Sequence, residues 1–237
     1  MTTFETQIFN CGKCNEKLFY FELTSFYIIE SESYSDGYMD SSPPLPSFNQ
    51  VVICPNCQHI EWKDDIINEE GNNIEDCIQC TGLDDIMRSF EIRPNLKMAG
   101  YYMDLINSGF ADSVDREVSI RIEIWRTLNN SIRYSDHVKT GPSGILKKAQ
   151  SVFGGNSVIF SEEEYNIYKP NLQRLTTLFK PEYYEQELLL ADMYRELGEF
   201  DMALNVLENT AQSDRNSFFN QIKSAVRKRN EKVIKLN

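Results

Sequence analysis

The six cysteines of this 237-residue chain form three Cys-x-x-Cys pairs, all within the first 80 residues. The pairs are Cys11/Cys14, Cys54/Cys57 and Cys77/Cys80. A two-residue spacer lets the backbone turn tightly with both sulfurs on one side, and two such pairs supply the four thiolates that a tetrahedral Zn²⁺ takes. The sequence therefore predicts a metal site, with more candidate ligands than the ion needs.

The sequences between the cysteine pairs indicate which two pairs bind the same metal ion. The second and third pairs are separated by 19 residues, which is the commoner zinc spacing, whereas the first and second are separated by 39. Residues 15–53 are nevertheless rich in strand-forming residues and can return the chain to its start as a β-hairpin, while residues 58–76 resemble charged helix and turn. We therefore expect Cys11, Cys14, Cys54 and Cys57 to hold a structural zinc ion.

Three roles stay open for the remaining pair, Cys77 and Cys80. The simplest is two half-buried bystander thiols; the others are an extra or second-site ligand pair, and a redox dithiol. Asp76, Asp84 and Asp85 lie nearby in the sequence. Negative charges disfavour a thiolate and raise the thiol pKa, which argues against a reactive pair.

Charge is distributed unevenly along the chain, whose net charge is −12. Residues 1–92 carry 17 acidic and 4 basic side chains, or −13, which leaves +1 for residues 93–237. Because cationic side chains supply most of the affinity for phosphates, the acidic cysteine-bearing region favours a protein or peptide partner over nucleic acid. A basic C-terminal stretch, residues 223–237, keeps nucleic-acid binding as a third possibility.

Other sequence features bear on location and catalysis. The N-terminal residues show no basic region followed by an apolar one, and no apolar run approaches the roughly 18 residues of a membrane span. We expect a cytoplasmic protein, where reduced thiols favour metal sites over disulfides. The two histidines, His59 and His137, have no nucleophile or acid–base partner that the sequence singles out. We therefore expect no enzymatic activity.

Hydrophobic periodicity predicts a change of structural class along the chain. Residues 18–34 indicate strands, Asp36-Gly37 a turn and residues 71–73 another turn, and residues 76–90 could begin a helix or a short turn. After Pro94 the pattern predicts helices at 95–108, 114–134, 161–179, 182–197, 200–211 and 214–228, with a long connection over 135–160. The fold class is therefore α+β: an acidic zinc-ribbon-like module over residues 1–92 and an all-helical domain over residues 93–237.

The hairpin at residues 182–211 matches the tetratricopeptide pattern, with small residues where two helices touch and glycine at the turn. The matching residues are Ala191, Tyr194, Gly198, Phe200, Ala203 and Leu207. Such hairpins often form a groove that holds a peptide.

Several segments together resemble a group of uncharacterised bacterial proteins with an N-terminal CpXC-like four-cysteine module and tetratricopeptide-like helices. The segments are CGKC, CPNC, YSDGYMDSSPP, HIEWKDD, EIWRTLNN and LADMYRELGEFDMALNVLE. The resemblance implies zinc at Cys11, Cys14, Cys54 and Cys57 and implies no catalytic residues; Cys77/Cys80 depart from it. Its loop Ser35-Asp36-Gly37, together with Tyr194, is a candidate contact surface.

These observations predict a non-enzymatic cytoplasmic zinc-binding protein-interaction module. The alternative is a thiol-based redox or metal-responsive regulator that uses Cys77/Cys80.

Overall fold

The structure, a computed structural model, describes residues 2–45, 50–67, 74–82, 94–134, 160–210 and 216–237. It has an α+β fold with small sheets in the N-terminal part and, in these ranges, six α-helices after them. The chain divides into two compact units. The first comprises Met1–Ser31 and Asp40–Pro94, and the second comprises Glu32–Met39 and Asn95–Asn237. The segment Glu32–Met39, placed by sequence in the N-terminal module, thus belongs to the helical unit.

The described strands are short and form three small sheets. They are β1 (Thr3–Asn10), β2 (Lys17–Ser25), β3 (Glu30–Tyr34), β4 (Met39–Ser42), β5 (Val51–Ile53), β6 (Ile60–Trp62), β7 (Ile78–Gln79) and β8 (Lys235–Leu236). The strand orders are β1-β2-β7, β4-β3-β8 and β5-β6. Two 3-10 turns, Lys63–Asp65 and Ile74–Asp76, lie between β6 and β7.

The pairing of these strands differs from the single returning hairpin that the sequence suggested for residues 15–53. β1 pairs with β2, and β5 pairs with β6, both antiparallel. Residues 58–76, expected to be helix and turn, contain β6, whose residues pair with β5; Trp62 is buried and Ile60 is half-buried. Residues 76–90 were expected to begin a helix or a short turn. A 3-10 turn ends at Asp76, and Ile78–Gln79 then form β7 beside β2.

The helices follow the sequence prediction within a few residues. They are α1 (Pro94–Asn107), α2 (Val114–Arg133), α3 (Glu162–Leu178), α4 (Tyr184–Glu196), α5 (Phe200–Asn209) and α6 (Ser217–Arg227). α3 begins with the predicted capping box: the Ser161 hydroxyl accepts from the Glu164 backbone N–H, and the Glu164 carboxylate accepts from the Ser161 N–H. No helix in the described part of the chain is long and apolar enough to cross a bilayer.

Some sequence predictions fall outside the described residues. These are the turn at 71–73, residues 83–90 of the segment at 76–90 with Asp84 and Asp85, His137, almost all of the connection at 135–160 and the first two residues of the helix expected at 214–228.

The α4–α5 hairpin packs against α6 around one hydrophobic core. Ala191 and Ala203 are fully buried, which lets the helices approach closely. The other buried members are Leu188, Phe200, Leu207, Phe219, Ile222, Val226 and Leu236. A helical hairpin is therefore confirmed at the predicted position.

The turn of this hairpin depends on Gly198, whose φ is +80°. A Cβ at this position would lie 3.2 Å from the Glu231 Oε1 atom. We expect Gly198→Ala to lower the free energy of unfolding by about 1 to 2 kcal/mol, because L-residues disfavour the left-handed region. Urea denaturation followed by circular dichroism would measure this change.

A matched control lies in α1, where a Cβ at Gly100 would meet no atom within 4 Å. There, Gly→Ala should raise the free energy of unfolding by about 0.5 to 1 kcal/mol through helix propensity. Equal destabilisation by both substitutions would contradict the role assigned to the turn glycine.

The basic C-terminal stretch is only partly helical. After α6 ends at Arg227, the chain turns and β8 pairs with β3. The Lys235 ammonium lies 2.5 Å from a Glu32 carboxylate oxygen, and the Arg229 guanidinium lies 4.5 Å from the Phe200 ring centroid. These two cations therefore contact other side chains of the helical unit.

Candidate metal centre

Two similar turns carry the first two cysteine pairs. Cys11 and Cys14 lie between β1 and β2, and Cys54 and Cys57 lie between β5 and β6. In the first turn, Cys11 N–H donates to Glu16 O, and Asn15 N–H donates to Cys11 O, both at 2.9 Å. The backbone thus folds each two-residue spacer back on itself.

The second turn repeats this geometry. Cys54 N–H donates to His59 O, and Gln58 N–H donates to Cys54 O, again at 2.9 Å. Asn15 and Gln58 occupy equivalent positions, and both have φ of +58°. Two unrelated stretches of sequence therefore adopt the same turn, each of which presents two thiols.

The two turns bring four sulfurs together. The Sγ atoms of Cys11, Cys14, Cys54 and Cys57 all lie within 4.8 Å of one another. Sγ of Cys11 is 3.6 Å from Sγ of Cys57, and Sγ of Cys14 is 3.7 Å from Sγ of Cys54. With metal–sulfur bonds of about 2.3 Å, the sulfurs of a tetrahedral site lie about 3.8 Å apart. The four thiols fit a tetrahedral metal ion.

The same distances exclude disulfides, whose sulfurs are about 2.05 Å apart. All six cysteines are free thiols.

The four thiols differ in exposure and in acidity. Cys11 and Cys54 are buried, Cys57 is half-buried and Cys14 is exposed. Burial raises the pKa of Cys11 to about 12, whereas the backbone N–H of Glu16 lowers the pKa of Cys14 to about 7. Because metal ligands are thiolates, binding of an ion by the free thiols releases protons.

A carboxylate from the second hairpin contacts the first turn. Glu61 of β6 accepts a 2.7 Å hydrogen bond from the Gly12 backbone N–H, and its Oε1 lies 3.7 Å from His59 Nε2. Glu61 therefore links the two cysteine turns beside the thiols. His59, two residues after Cys57, is not part of the four-sulfur cluster.

The thiols pack against a hydrophobic cluster, called here the apolar floor, to which the β1–β2 and β5–β6 hairpins both contribute. Buried in this cluster with Cys11 and Cys54 are Phe9, Leu18, Tyr20 and Val52. Both hairpins contribute to it, so the apolar residues pack beside the same two turns that bring the four thiols together.

The third cysteine pair lies on a segment that follows both hairpins in the sequence and is hydrogen-bonded to each of them. Residues Ile78–Gln79 run parallel to β2, and Cys80 N–H donates to Phe19 O at 2.8 Å. Thr81 and Ile53 then exchange two backbone hydrogen bonds of 3.0 and 3.1 Å. The segment thereby joins the sheet of the first turn to the sheet of the second.

Within that segment the two thiols are half-buried. Cys80 packs against the apolar floor, and burial raises its pKa to about 12. In the described residues, neither Cys77 nor Cys80 joins the four-sulfur cluster. The choice of Cys11, Cys14, Cys54 and Cys57 over the third pair thus agrees with the geometry.

The loop Ser35-Asp36-Gly37, expected as a contact surface, instead lies largely inside the helical unit. Ser35 is 3% exposed and Asp36 is fully buried. The predicted turn is present: Gly37 N–H donates to Tyr34 O, and Gly37 has φ of +71°. The burial follows from long-range partners on α2 and α4, which the turn signal does not reveal.

Asp36 is held by α2 through charge and hydrogen bonds. Its Oδ2 accepts from Arg133 Nη2 and, at 2.9 Å, from Asn129 Nδ2. Arg126 donates to the backbone oxygens of Asp36 and Gly37, both at 3.2 Å. The side chains of Asp36 and Arg133 are both fully buried, so their pairing is not screened by solvent.

A second buried group, centred on Glu196 of α4, adjoins Asp36 through Asn129. The Glu196 carboxylate accepts from Trp125 Nε1 at 2.7 Å, from Asn129 Nδ2 at 3.2 Å and from the Tyr168 hydroxyl. Burial raises the pKa of Glu196 to about 7. These bonds join α2, α3 and α4 in the interior.

Arg195 completes the buried polar group. It donates to Asp192 Oδ1 at 2.7 Å, to Glu196 Oε1 at 3.1 Å and to the Ser35 hydroxyl at 3.3 Å. It also donates to the Lys232 backbone oxygen at 2.7 Å. Tyr194, the other predicted contact residue, is half-buried and packs against the core of the α4–α5 hairpin.

Comparison of the chain with protein-family models found no match, and no curated protein or solved structure matched it either. The resemblance to CpXC-like proteins therefore rests on the sequence segments alone.

Proposed function

We propose that the chain is a cytoplasmic, non-enzymatic protein-interaction module with one structural Zn²⁺ bound by Cys11, Cys14, Cys54 and Cys57. The observation that carries the metal assignment is the convergence of the four sulfurs at 3.6 and 3.7 Å, close to the spacing of a tetrahedral site. Four free thiols suit a reducing compartment.

The donor set favours a structural role for the ion. Tetrahedral four-sulfur sites are typical of zinc or iron–sulfur centres. Catalytic zinc keeps an open position for water or substrate, but four thiolates fill the coordination sphere. A zinc ion here therefore supports the fold by joining two hairpins and supplies no chemistry to a substrate.

The helical unit supports the interaction half of the proposal. Its α4–α5 hairpin has the packing that tetratricopeptide-like hairpins share, with alanines at the helix contact. Large apolar side chains remain exposed on the hairpin, at Tyr183 and Met202, and on α6, at Phe218. Its many buried polar groups bond to one another, which suits a structural role for them.

Metal analysis of the purified chain tests the zinc assignment. We expect about one zinc per chain by mass spectrometry, and a cobalt-substituted form with the intense tetrahedral absorption and sulfur-to-cobalt charge transfer of a four-thiolate site. Cys77→Ser with Cys80→Ser should leave both results unchanged. Absence of zinc, or a cobalt spectrum that loses thiolate intensity in this control, would refute the assignment.

Affinity capture tests the interaction half. The full chain as bait should retain at least one protein that bait carrying Met202→Glu releases, because α5 exposes Met202. Identical captured proteins with both baits, and with bait carrying Tyr183→Glu, would count against a partner surface on the α4–α5 hairpin.

A further inference from the structure

β1 is the outermost strand of the first sheet. Within the described ranges it pairs with β2 and with no other strand. Residues 3–6 are exposed. In an antiparallel pair, every second residue directs its backbone N–H and C=O away from the partner strand. Along its exposed residues, 3–6, the outer side of β1 therefore presents backbone groups that no described strand pairs with and that can bond to an added strand.

One face of the β1–β2 hairpin is apolar and open to solvent. The register places Phe4 opposite Leu23 and Thr6 opposite Phe21, so these side chains share a face. Phe4 is 58% exposed and Phe21 is 47% exposed. The Phe21 ring also contacts Phe19, with centroids 5.5 Å apart. A strand added beside β1 could cover the Phe4 ring with apolar side chains of its own.

The opposite face carries two carboxylates. Glu5 lies directly opposite Glu22, an arrangement of like charges that destabilises a strand pair. Lys63 lies on this face over the Tyr20 ring, 4.5 Å from its centroid, and interacts with Glu22. Among the described residues, Glu5 has no ion pair. A cation placed beside Glu5 would relieve the repulsion.

We propose that β1 accepts an extended segment of a partner protein as an added strand in which apolar side chains alternate with Lys or Arg. The apolar side chains would cover the Phe4 face, and the basic ones would lie beside Glu5. This proposal adds a second contact surface, on the unit that carries the cysteines, to the interaction module proposed above, and it rests on that proposed function.

Charge argues against a second copy of this chain as the occupant. Residues 1–92 carry a net charge of −13, so two copies joined through β1 would bring two acidic surfaces together. A basic segment has the complementary charge.

Binding of a defined peptide tests the proposal. The probe is a fluorescein-labelled peptide of alternating Lys and Val, eight residues long to match β1, added to the zinc-loaded full chain and followed by anisotropy. We expect saturable binding, and no binding of the corresponding Glu–Val peptide. Failure of the Lys–Val peptide to bind at millimolar concentration would overturn the proposal.

N-methylation of the peptide distinguishes strand pairing from charge attraction. In an extended peptide the Lys amides and the Val amides point to opposite edges. With Val on the Phe4 face and the peptide antiparallel to β1, only one of the two sets faces β1. Methylation of that set should abolish binding while methylation of the other should not, and equal effects would overturn the proposal.

A matched pair of charge reversals locates the site. Glu5→Lys should weaken binding by about tenfold or more, whereas Glu30→Lys, at an exposed acid of the same unit, should change it by less than about threefold. Equal losses would indicate non-specific attraction and overturn the proposal.

Sedimentation and zinc analysis of the same samples separate the remaining outcomes. Dimers of the chain that dissociate on Glu5→Lys would assign the edge to a second copy and overturn the proposal. Loss of peptide binding with zinc retained refutes the β1 site alone, whereas absence of zinc refutes the metal assignment in the proposed function.

Discussion

Replacing Cys11 and Cys54 together with serine should abolish metal binding and unfold the first unit while the helices keep their structure. Both thiols are buried in the apolar floor beneath the two turns. A structural zinc site is worth about 10 to 16 kcal/mol in small zinc domains, which exceeds the net stability of about 5 to 15 kcal/mol of most proteins. The helical unit has a separate hydrophobic core and should not depend on the ion for its packing.

Amide hydrogen exchange would show which parts of the chain unfold in this variant. Backbone amides of β1, β2, β5 and β6 should lose protection by at least about tenfold, while those of α4 and α5 should keep theirs. Treatment of the unsubstituted chain with a zinc chelator should give the same pattern.

The control for this experiment is Cys77→Ser with Cys80→Ser, which removes two thiols from the same unit. It should retain protection in β1 and β5, since neither residue joins the four-sulfur cluster in the described residues. Unchanged exchange in the Cys11→Ser, Cys54→Ser chain would contradict a metal-dependent first unit.

Asp36→Ala should lower the stability of the helical unit by about 3 to 5 kcal/mol, the usual cost of breaking a buried ion pair by removing one partner. The substitution leaves the Arg133 guanidinium buried without its carboxylate and removes an acceptor from Asn129. Urea denaturation followed by Trp125 fluorescence would measure the loss, with Trp62→Phe in the background so that only the helical unit is observed.

Two comparisons identify the ion pair as the cause. Asp201→Ala removes an exposed acid of α5 and should change stability by less than about 0.5 kcal/mol. Adding Arg133→Met to Asp36→Ala removes the stranded charge at similar volume and should restore part of the loss. A loss below about 1 kcal/mol for Asp36→Ala, or no recovery in the double variant, would show that the pair contributes little.

The helices were predictable because their signals are local. The hydroxyl of Ser161 and the carboxylate of Glu164 fix the start of α3 within four residues of sequence, and Gly198 marks the turn between α4 and α5. The four clustering cysteines were also predictable, since each pair needs only its own two-residue spacer to converge.

The strand pairing was harder to predict from the sequence, because each strand depends on a partner far away along the chain. β7 is a strand only through β2, some sixty residues earlier, and β8 only through β3. Two-residue strands have no periodicity of their own to detect. The burial of Asp36 has the same origin, since its partners on α2 lie more than ninety residues away.

The stretch between Cys14 and Cys54 has a topological consequence. A metal ion held by both pairs closes this stretch into a covalent ring, and Ser35 and Asp36, near its middle, are fixed within the helical unit. Opening the ring by removing the ion returns conformational entropy to the chain that carries Asp36. The two restraints act in different units, so we expect the released entropy to stay in the part of this stretch that belongs to the first unit, while the Asp36 contacts to α2 persist.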